Sequence, residues 1–560
     1  MDIQKLIRKH ALFNAFSFGK AEPGKIVGKV IAEEPSVKND MKTLMSQIQD
    51  IVKEVNTVSK EQCEEELKST FPEMLEKKEV QKKTLKELED AKEGKVIMRF
   101  APSPSGPMHI GHAMTGGLIA AYVNRYKGTY ILRIEDTNAD NIYEPAYEQL
   151  QKDAHWLFGN VSEVWIQSER IQIYYDYAQQ LIEKNAAYIC TCEPEKYKEL
   201  NTNKKACPCR ELGTAEQAQR WQKMLSKEGY REGEAVLRCK TEIDHPNPAM
   251  RDFPLARIKE TPHPKTGTKY RVWPLMNLSV FTDDVEAGMT HIIRAKDHAD
   301  NAKRQEYMYR ALGKPIPKTY FTGRYNFLDL ELSASKTKEK IKEGIYTGWE
   351  DIRLPFIQPL RRRGYQAKTF ITLTEQIGLT NVDKTVSADE FFKSLNAINK
   401  ELIEEKADRL FFIKEPVKIH IKGTPSKQIT LNLHPEHRKG GRVLHIDEEF
   451  YIEKEDMQTI QEGNLYRLMD CLNFKKEHNA YVFVSFNVED FKKQGTSIMH
   501  WLPKSEALPA RLRMPDNTVY EGYIESSSKK ITQDDVVQFE RIGFCRLDDE
   551  EQREFWFAHS

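Results

Sequence analysis

The sequence predicts a multidomain α/β plus β protein: a doubly wound parallel sheet carrying an insertion, then a helical connector, then a C-terminal region of short strands. Three observations carry this. Between Lys95 and Lys184 the apolar runs follow the order strand, loop, helix, strand, helix. From about residue 186 to 255 that rhythm gives way to a polar, cysteine-bearing stretch. From Arg409 onward, short alternating strands recur with turn residues between them. At 560 residues the chain is too long for a single hydrophobic core, so several domains are required.

Residues 1 to 94 read as a helical, highly charged extension. Within it, Glu73 to Lys95 is mostly Glu, Lys and Leu, with Met74, Leu75, Val80, Leu85 and Leu88 near helical spacing. Such a segment is a solvated helix or an arm for a protein partner. Val96 to Phe100 is a short buried strand, followed by the breaker-rich loop Ala101 to Gly106. A helix starts near Gly111 and runs through Val123, then a strand from Tyr130 to Glu135, then helices near Pro145–Phe158 and Arg170–Lys184. Strands return at Lys269–Val272 and Thr290–Arg294, with a helix from Asn301 to Leu312 and mostly helix from Arg363 to Lys406. Val417–Lys422, Val443–Ile446 and Tyr481–Ser485 represent the terminal strands, which argue for a barrel or sandwich.

Hydrophobic residues at 39% and charged residues at 30% describe a globular chain. No apolar run approaches the roughly 20 residues that span a bilayer, and Met1 to Lys5 has no apolar leader. The expectation is a cytoplasmic protein with no membrane partner. Lys+Arg and Asp+Glu both number 85, which neither favours nor excludes nucleic acid, since phosphate contacts depend on local patches.

The chemistry-bearing run is His109-Ile-Gly-His112, placed after a strand and a Pro/Gly loop at the start of a helix. The free N–H groups of a helix start and two imidazoles make a donor array suited to phosphate oxygens, and Gly111 lets a ligand approach the backbone. Attack on the α-phosphate of ATP is the chemistry that needs such an array, because fixed donors stabilise the charge that builds on the oxygens. The alternative is two surface histidines at a helix start. Separately, Cys190-Thr-Cys192 and Cys207-Pro-Cys209 bring four of the eight cysteines within twenty residues. Two close pairs suit a tetrahedral, structural Zn²⁺; buried free thiols are the other reading. Cys63, Cys239, Cys471 and Cys545 are isolated and read as core.

Arg99-Phe-Ala-Pro-Ser-Pro-Ser-Gly-Pro-Met-His-Ile-Gly-His112 resembles the first signature of the class I glutamyl- and glutaminyl-tRNA synthetases. The resemblance continues in Arg133-Ile-Glu-Asp-Thr-Asn138, Gly348-Trp-Glu-Asp-Ile-Arg-Leu-Pro355 and Leu360-Arg-Arg-Arg-Gly364, and covers essentially the whole chain. The N-terminal extension and a C-terminal region with His434-Pro435, Gly440-Gly441 and His500-Trp501-Leu502 resemble the archaeal and eukaryotic-cytosolic type. The family implies an N-terminal extension (1–94), a Rossmann catalytic domain (95–185 and 256–330), an acceptor-stem-binding insertion (186–255), a second-motif loop with helical connector (331–408) and an anticodon-binding β-barrel region (409–560). The second class I motif, ideally Lys-Met-Ser-Lys-Ser, is here Glu331-Leu-Ser-Ala-Ser335 followed by Lys336, with Glu331 and Ala334 where the lysines belong.

By the same resemblance, His109, His112 and Lys336 are catalytic. Pro102, Ser103, Gly106, Gly111, Ser333 and Ser335 join them in binding ATP with Mg²⁺. Arg99, Ala101, Ser103, Glu135, Met276 and Arg294 bind L-glutamate, Glu135 at the α-ammonium; Met276 stands where the family often has Tyr. The metal ligands are Cys190, Cys192, Cys207 and Cys209. A γ-carboxylate wants a bidentate Arg, whereas a γ-amide would leave a buried guanidinium poorly paired, so Arg294 favours glutamate over glutamine. The expected acceptor is tRNA(Glu), with tRNA(Gln) open as a second, and Arg361 to Arg363 are either a tRNA backbone contact or an exposed basic run. A glutamine-charging enzyme, a small-molecule nucleotidyltransferase and a non-catalytic tRNA-binding paralogue are the rivals.

Overall fold

The computed structural model describes residues 3–74 and 85–560, in two compact units divided near residue 82. The first is a helical unit of α1 (Ile3–Phe18), α2 (Pro23–Glu33), α3 (Met41–Val55) and α4 (Lys60–Thr70). Two of its helices start on side-chain caps: at α3 Asp40 accepts from the Thr43 N–H, and at α4 Ser59 and Gln62 form a reciprocal capping box. Leu12, Ile26, Val30, Ile48 and Leu67 are wholly buried in a core of its own.

The solvated helix expected across Glu73 to Lys95 does not form in the described residues. Pro72–Met74 is a single 3₁₀ turn, residues 75–84 lie outside the described residues, and 85–95 are turns. Asp90 and Gly94 both take positive φ, which helix cannot accommodate. Leu88 is buried in the core of the second unit, and the Glu89 N–H donates to the Tyr320 hydroxyl at 2.8 Å.

The second unit begins with a parallel sheet. β1 (Ile97–Phe100) pairs with β2 (Thr129–Ile134), and β2 with β3 (Val161–Ile166). Connections run through α5 (Ile110–Arg125) and α6 (Ala146–Phe158). The middle of α5, from Gly116 to Val123, is buried on every side, matching its all-round apolar sequence. Gly116 is what allows it: a Cβ there would sit 2.3 Å from the Phe158 ring of α6.

After α7 (Ile171–Glu183) the chain enters the insertion, whose polar sequence hides an antiparallel four-stranded sheet. It contains β4 (Ala187–Cys190), α8 (Pro194–Thr202), α9 (Thr214–Leu225), β5 (Val236–Cys239), β6 (Pro254–Ile258) and β7 (Val272–Pro274), with strand order β4-β5-β6-β7. The strand expected near Lys269–Val272 as part of the parallel sheet is therefore displaced: Ala256 pairs with Pro274, so β7 closes the insertion's sheet beyond residue 255. Trp221, Met224, Leu237 and Leu255 supply its core.

The chain returns through α10 (Met276–Glu286) to β8 (His291–Ala295), α11 (Ala299–Ala311) and β9 (Lys318–Thr322). β8 pairs in parallel with β9. It lies beside β1, where the Thr290 N–H donates to Ile97 O at 3.2 Å. The order is thus β3-β2-β1-β8-β9, and the chain departs in opposite directions from β1 and β8. Ligands of doubly wound sheets bind at such a switch point, beyond the carboxyl ends of the strands.

β10 (Tyr325–Phe327), α12 (Ala334–Lys342), α13 (Ile357–Arg362), α14 (Ala367–Ile377), β11 (Lys384–Val386) and α15 (Ala388–Ile403) form the connector. The rest is β: residues 408–414 and 507–559 form one seven-stranded sheet, and residues 416–503 another, with Lys427–His434 and Arg438–Ile446 as a separate hairpin. Burial alternates along Arg438–Ile446 as its sequence alternates. Arg362 and Arg363 are struts within this assembly and not free basic residues. Arg362 pairs with Asp548 and, at 2.8 Å, Glu350, while Arg363 donates to Phe557 O at 3.0 Å and Ala558 O at 2.7 Å. Only Arg361 of the triplet is exposed. No described helix is long and apolar enough to cross a membrane.

Candidate active site

Two adjoining cavities open at the switch point. The first, about 200 Å³, is lined at the end of β1 by Arg99, Phe100 and Ala101, after β2 by Glu135, at β8 by Ile293 and Arg294, and from α10 by Met276 and Val280. The second, about 280 Å³, is lined by His109, Gly111, His112 and Leu118, with Tyr325, Leu332, Ile377 and Val382 opposite. Thr115 and Ala295 belong to both, so the two are continuous.

His109 caps α5. The Gly111 N–H donates to His109 Nδ1 at 3.1 Å, and the His109 N–H donates to His112 Nδ1 at 3.3 Å. Both Nδ1 atoms accept, so the ring proton sits on Nε2 in each. The rings stack with centroids 3.8 Å apart. Burial, reinforced by His112, holds His109 well below the usual imidazole range, and burial brings His112 down to about 4. Both are neutral donors at pH 7, so the stack carries no charge repulsion. The segment is clamped from outside α5: the Ile110 N–H donates to Pro355 O at 3.1 Å, and the Ile357 N–H to Met108 O at 2.9 Å.

The first cavity is dominated by charge. Arg99 spends Nε and Nη2 on Asp284 at 2.9 and 3.2 Å. Arg133, fully buried, reaches Asp284 at 2.7 Å and Glu135 at 3.0 Å. Burial alone would raise the Asp284 carboxyl, but Arg99 and Arg133 beside it hold it down to about 2. Arg294 is different. It is 8% exposed, its one hydrogen-bond partner among the described residues is the Gln305 amide at 3.2 Å, and no carboxylate lies within salt-bridge reach. Burial, and then repulsion from Arg99, lowers it to about 10.

The second-motif segment meets the histidine cavity through Leu332, while its polar and charged side chains face elsewhere. Ser333 caps α12 by accepting from the Lys336 N–H at 3.4 Å. The Lys336 side chain is exposed and paired with Glu331 at 2.7 Å, lining neither cavity, and Lys340 holds the other Glu331 oxygen at 3.0 Å. Ser335 and Ser103 meet instead in a third cavity with Lys338 and Lys342. Gly106 lies under the second motif, where a Cβ would come 3.1 Å from both Ala334 and Trp349. Pro102 is buried, with its carbonyl accepting from the Glu135 N–H at 3.0 Å.

Thr115, His298, Gln305 and the counter-ion Asp284 were not anticipated from sequence. Thr115 was within reach, since it lies one helical turn after His112. Nothing local marks Gln305, which meets Arg294 through tertiary packing.

In the insertion, Cys190 and Cys207 Sγ are 3.9 Å apart and Cys192 and Cys209 Sγ 3.8 Å. All four lie within 4.8 Å of one another, and none forms a disulfide. A tetrahedron with Zn–S bonds of about 2.3 Å has S–S edges of about 3.8 Å, so the donor set fits zinc. The Thr191 N–H and Arg220 point at Cys209 Sγ at 3.5 and 3.6 Å, as expected of donors to a thiolate. The second cluster of possible ligands, Glu453, Asp456 and His500, already surrounds the Arg541 guanidinium, 2.6 Å from Asp456 and 3.0 Å from His500.

A doubly wound sheet, a helix-capping histidine pair at its switch point and a charge-lined cavity beside it are the architecture of a nucleotide-using enzyme. Residues 95–405 match the family described as tRNA synthetases class I (E and Q), catalytic domain, and residues 407–491 and 498–548 match its anti-codon binding domains. The chain belongs to this family of aminoacyl-tRNA synthetases. It is 40% identical to proteins named Glutamate--tRNA ligase from Methanothermobacter marburgensis (100% of each chain), Thermococcus kodakarensis (98% of this chain, 97% of that) and Methanocaldococcus jannaschii (98% of each).

Proposed function

We propose that the protein is a glutamate--tRNA ligase that forms glutamyl-adenylate from L-glutamate and ATP and transfers the glutamyl group to tRNA(Glu). The observation that carries the choice of glutamate is Arg294: a buried guanidinium on the cavity wall whose protein partner is one neutral amide. A γ-carboxylate completes it with a charge-assisted pair; a γ-amide leaves it a buried, uncompensated cation. Ala101 and Met276 flank the bound amino acid, Arg99 offers its remaining Nη1, and Glu135 takes the α-ammonium; Ser103, expected beside them, lines the third cavity instead.

An α-carboxylate oxygen attacks the α-phosphorus, forming the mixed anhydride as the bond to pyrophosphate breaks. A terminal ribose hydroxyl of the tRNA then attacks the acyl carbon, and AMP leaves. The Nε2–H groups of His109 and His112 donate to phosphate oxygens, strengthening as charge builds there. Gly111 admits the nucleotide to the helix start, and Leu118, Leu332 and Val382 give its base an apolar bed. Pro102, Ser103, Gly106, Ser333 and Ser335 shape the phosphate side. Lys336 serves as the cation of the second motif by exchanging Glu331 for phosphate. Mg²⁺ accompanies the triphosphate and neutralises its charge. Cys190, Cys192, Cys207 and Cys209 hold a structural Zn²⁺ that staples the insertion near the acceptor end, since four protein ligands leave no open position.

Aminoacylation of purified tRNA(Glu) and tRNA(Gln) with labelled glutamate or glutamine tests this. Glutamate charging of tRNA(Glu) is expected; robust charging with glutamine refutes the reading. Charging of tRNA(Gln) with glutamate, measured in the same assay, fixes the breadth of tRNA use.

A further inference from the structure

The cavity that holds the amino acid is bounded by more charge than the substrate touches. Around it four guanidiniums, of Arg99, Arg133, Arg170 and Arg294, face three carboxylates, of Glu135, Asp283 and Asp284. Asp283 is occupied by Arg170 at 2.8 Å, Gln167 at 3.0 Å and the Tyr174 hydroxyl at 2.9 Å, with Arg133 Nε 3.8 Å away, and does not itself line the cavity. His298, on the cavity wall, is held below its usual range by burial and by Arg294, and is neutral at pH 7. The site therefore carries one net positive charge. L-glutamate, with one ammonium and two carboxylates, carries the matching single negative charge; glutamine is neutral.

Asp284 sets this count. Met276, Val280 and Asp284 follow at four-residue spacing on α10, so they share one face of the helix. The first two line the cavity, and Asp284 sits a turn deeper, with no exposed side-chain surface, on Arg99 and Arg133. We propose that Asp284 is a specificity-determining positioning residue: together with Glu135 it offsets Arg99 and Arg133 and leaves Arg294 as the single unneutralised cation, so that the site selects an amino acid of net charge minus one. This rests on the glutamate reading and assigns that selection to a residue the substrate does not touch.

The test uses the full chain and three probes that differ in net charge: glutamate, neutral glutamine, and glutarate, which has two carboxylates and no ammonium. In Asp284→Asn the site gains a positive charge, and the ratio of the glutarate Ki to the glutamate KM falls at least about tenfold, the scale of one unscreened buried charge. In Arg133→Gln, which removes a buried guanidinium that lines neither cavity, the site is neutral, and the ratio of kcat/KM for glutamine to that for glutamate rises. The double variant Asp284→Asn/Arg133→Gln restores the count and returns both ratios to within about threefold of the starting protein; a purely structural role for Arg133 would instead leave the double variant no better than Arg133→Gln. If Asp284→Asn does not fold, Arg133→Gln and the double variant carry the comparison by themselves. Unchanged ratios in folded Asp284→Asn, or a double variant indistinguishable from Arg133→Gln, overturn the proposal. An unmodified protein that charges glutamine and not glutamate overturns instead the reading beneath it.

Discussion

Arg294→Met separates stability from function at a single residue. Methionine keeps the aliphatic bulk and removes the charge. Burial and the neighbouring Arg99 bring Arg294 down to about 10, which at about 1.4 kcal/mol per pKa unit marks a native-state cost of about 3 kcal/mol. Replacing a buried, unpaired charge with an apolar side chain recovers part of such a cost, about 1–3 kcal/mol. The urea-unfolding midpoint of Arg294→Met is therefore expected to rise. Charging moves the other way: losing the partner of a buried carboxylate costs about 3–5 kcal/mol, which lowers kcat/KM for glutamate by about a thousandfold. Because the γ-carboxylate is bound equally before and during reaction, most of the loss falls on KM. Steady-state aminoacylation with glutamate varied, beside urea titrations of both proteins, reads the two effects. A lower midpoint, or a kcat/KM within about tenfold of the original, refutes the reasoning.

Elemental analysis of the purified chain is expected to give one zinc per molecule, lost in Cys209→Ser together with local protection of residues 187–212 in hydrogen exchange; absence of zinc, or an unchanged exchange pattern in Cys209→Ser, refutes the stapling role. Glu331→Gln releases Lys336 and is expected to lower the KM for ATP several-fold, whereas an unchanged KM removes Lys336 from the phosphate site. For His112, the free imidazole near 6.5 falls to about 4 in the fold. Between those values the unfolded chain takes up a proton that the folded chain refuses, so this contribution is complete above pH 6.5 and is lost as pH drops towards 4. The fall in urea midpoint from pH 7 to pH 5 should accordingly be smaller in His112→Asn, and an equal fall in both proteins contradicts the assignment.

Much of the site was legible because its parts are local. Arg99, Ala101 and the histidines lie on one strand–loop–helix unit whose breakers declare its ends, and the paired cysteine spacing already implied a cage. Other parts depend on contacts that no window of sequence contains. The insertion's strands are three to five residues long, too short to show periodicity against polar neighbours. The run from 85 to 94 has a helix-forming composition, yet burial of Leu88 and the positive φ of Asp90 override it. Arg361 to Arg363 read as a basic surface because their carboxylate and carbonyl partners lie nearly two hundred residues away. Lys336 was assigned from order along the chain; its pairing with Glu331 is a matter of side-chain geometry at a helix start.

The pairing of Met108 and Ile110 with Pro355 and Ile357 has a consequence for how the molecule is made. The histidines emerge early in synthesis, but the backbone partners that hold their segment are about two hundred and fifty residues downstream. The helix those partners lead into is tied through Arg363 to Phe557 and Ala558. The brace on the His109–His112 segment therefore cannot close until residues 355–357 have been synthesised, and the connector gains its last anchor only with the final strand.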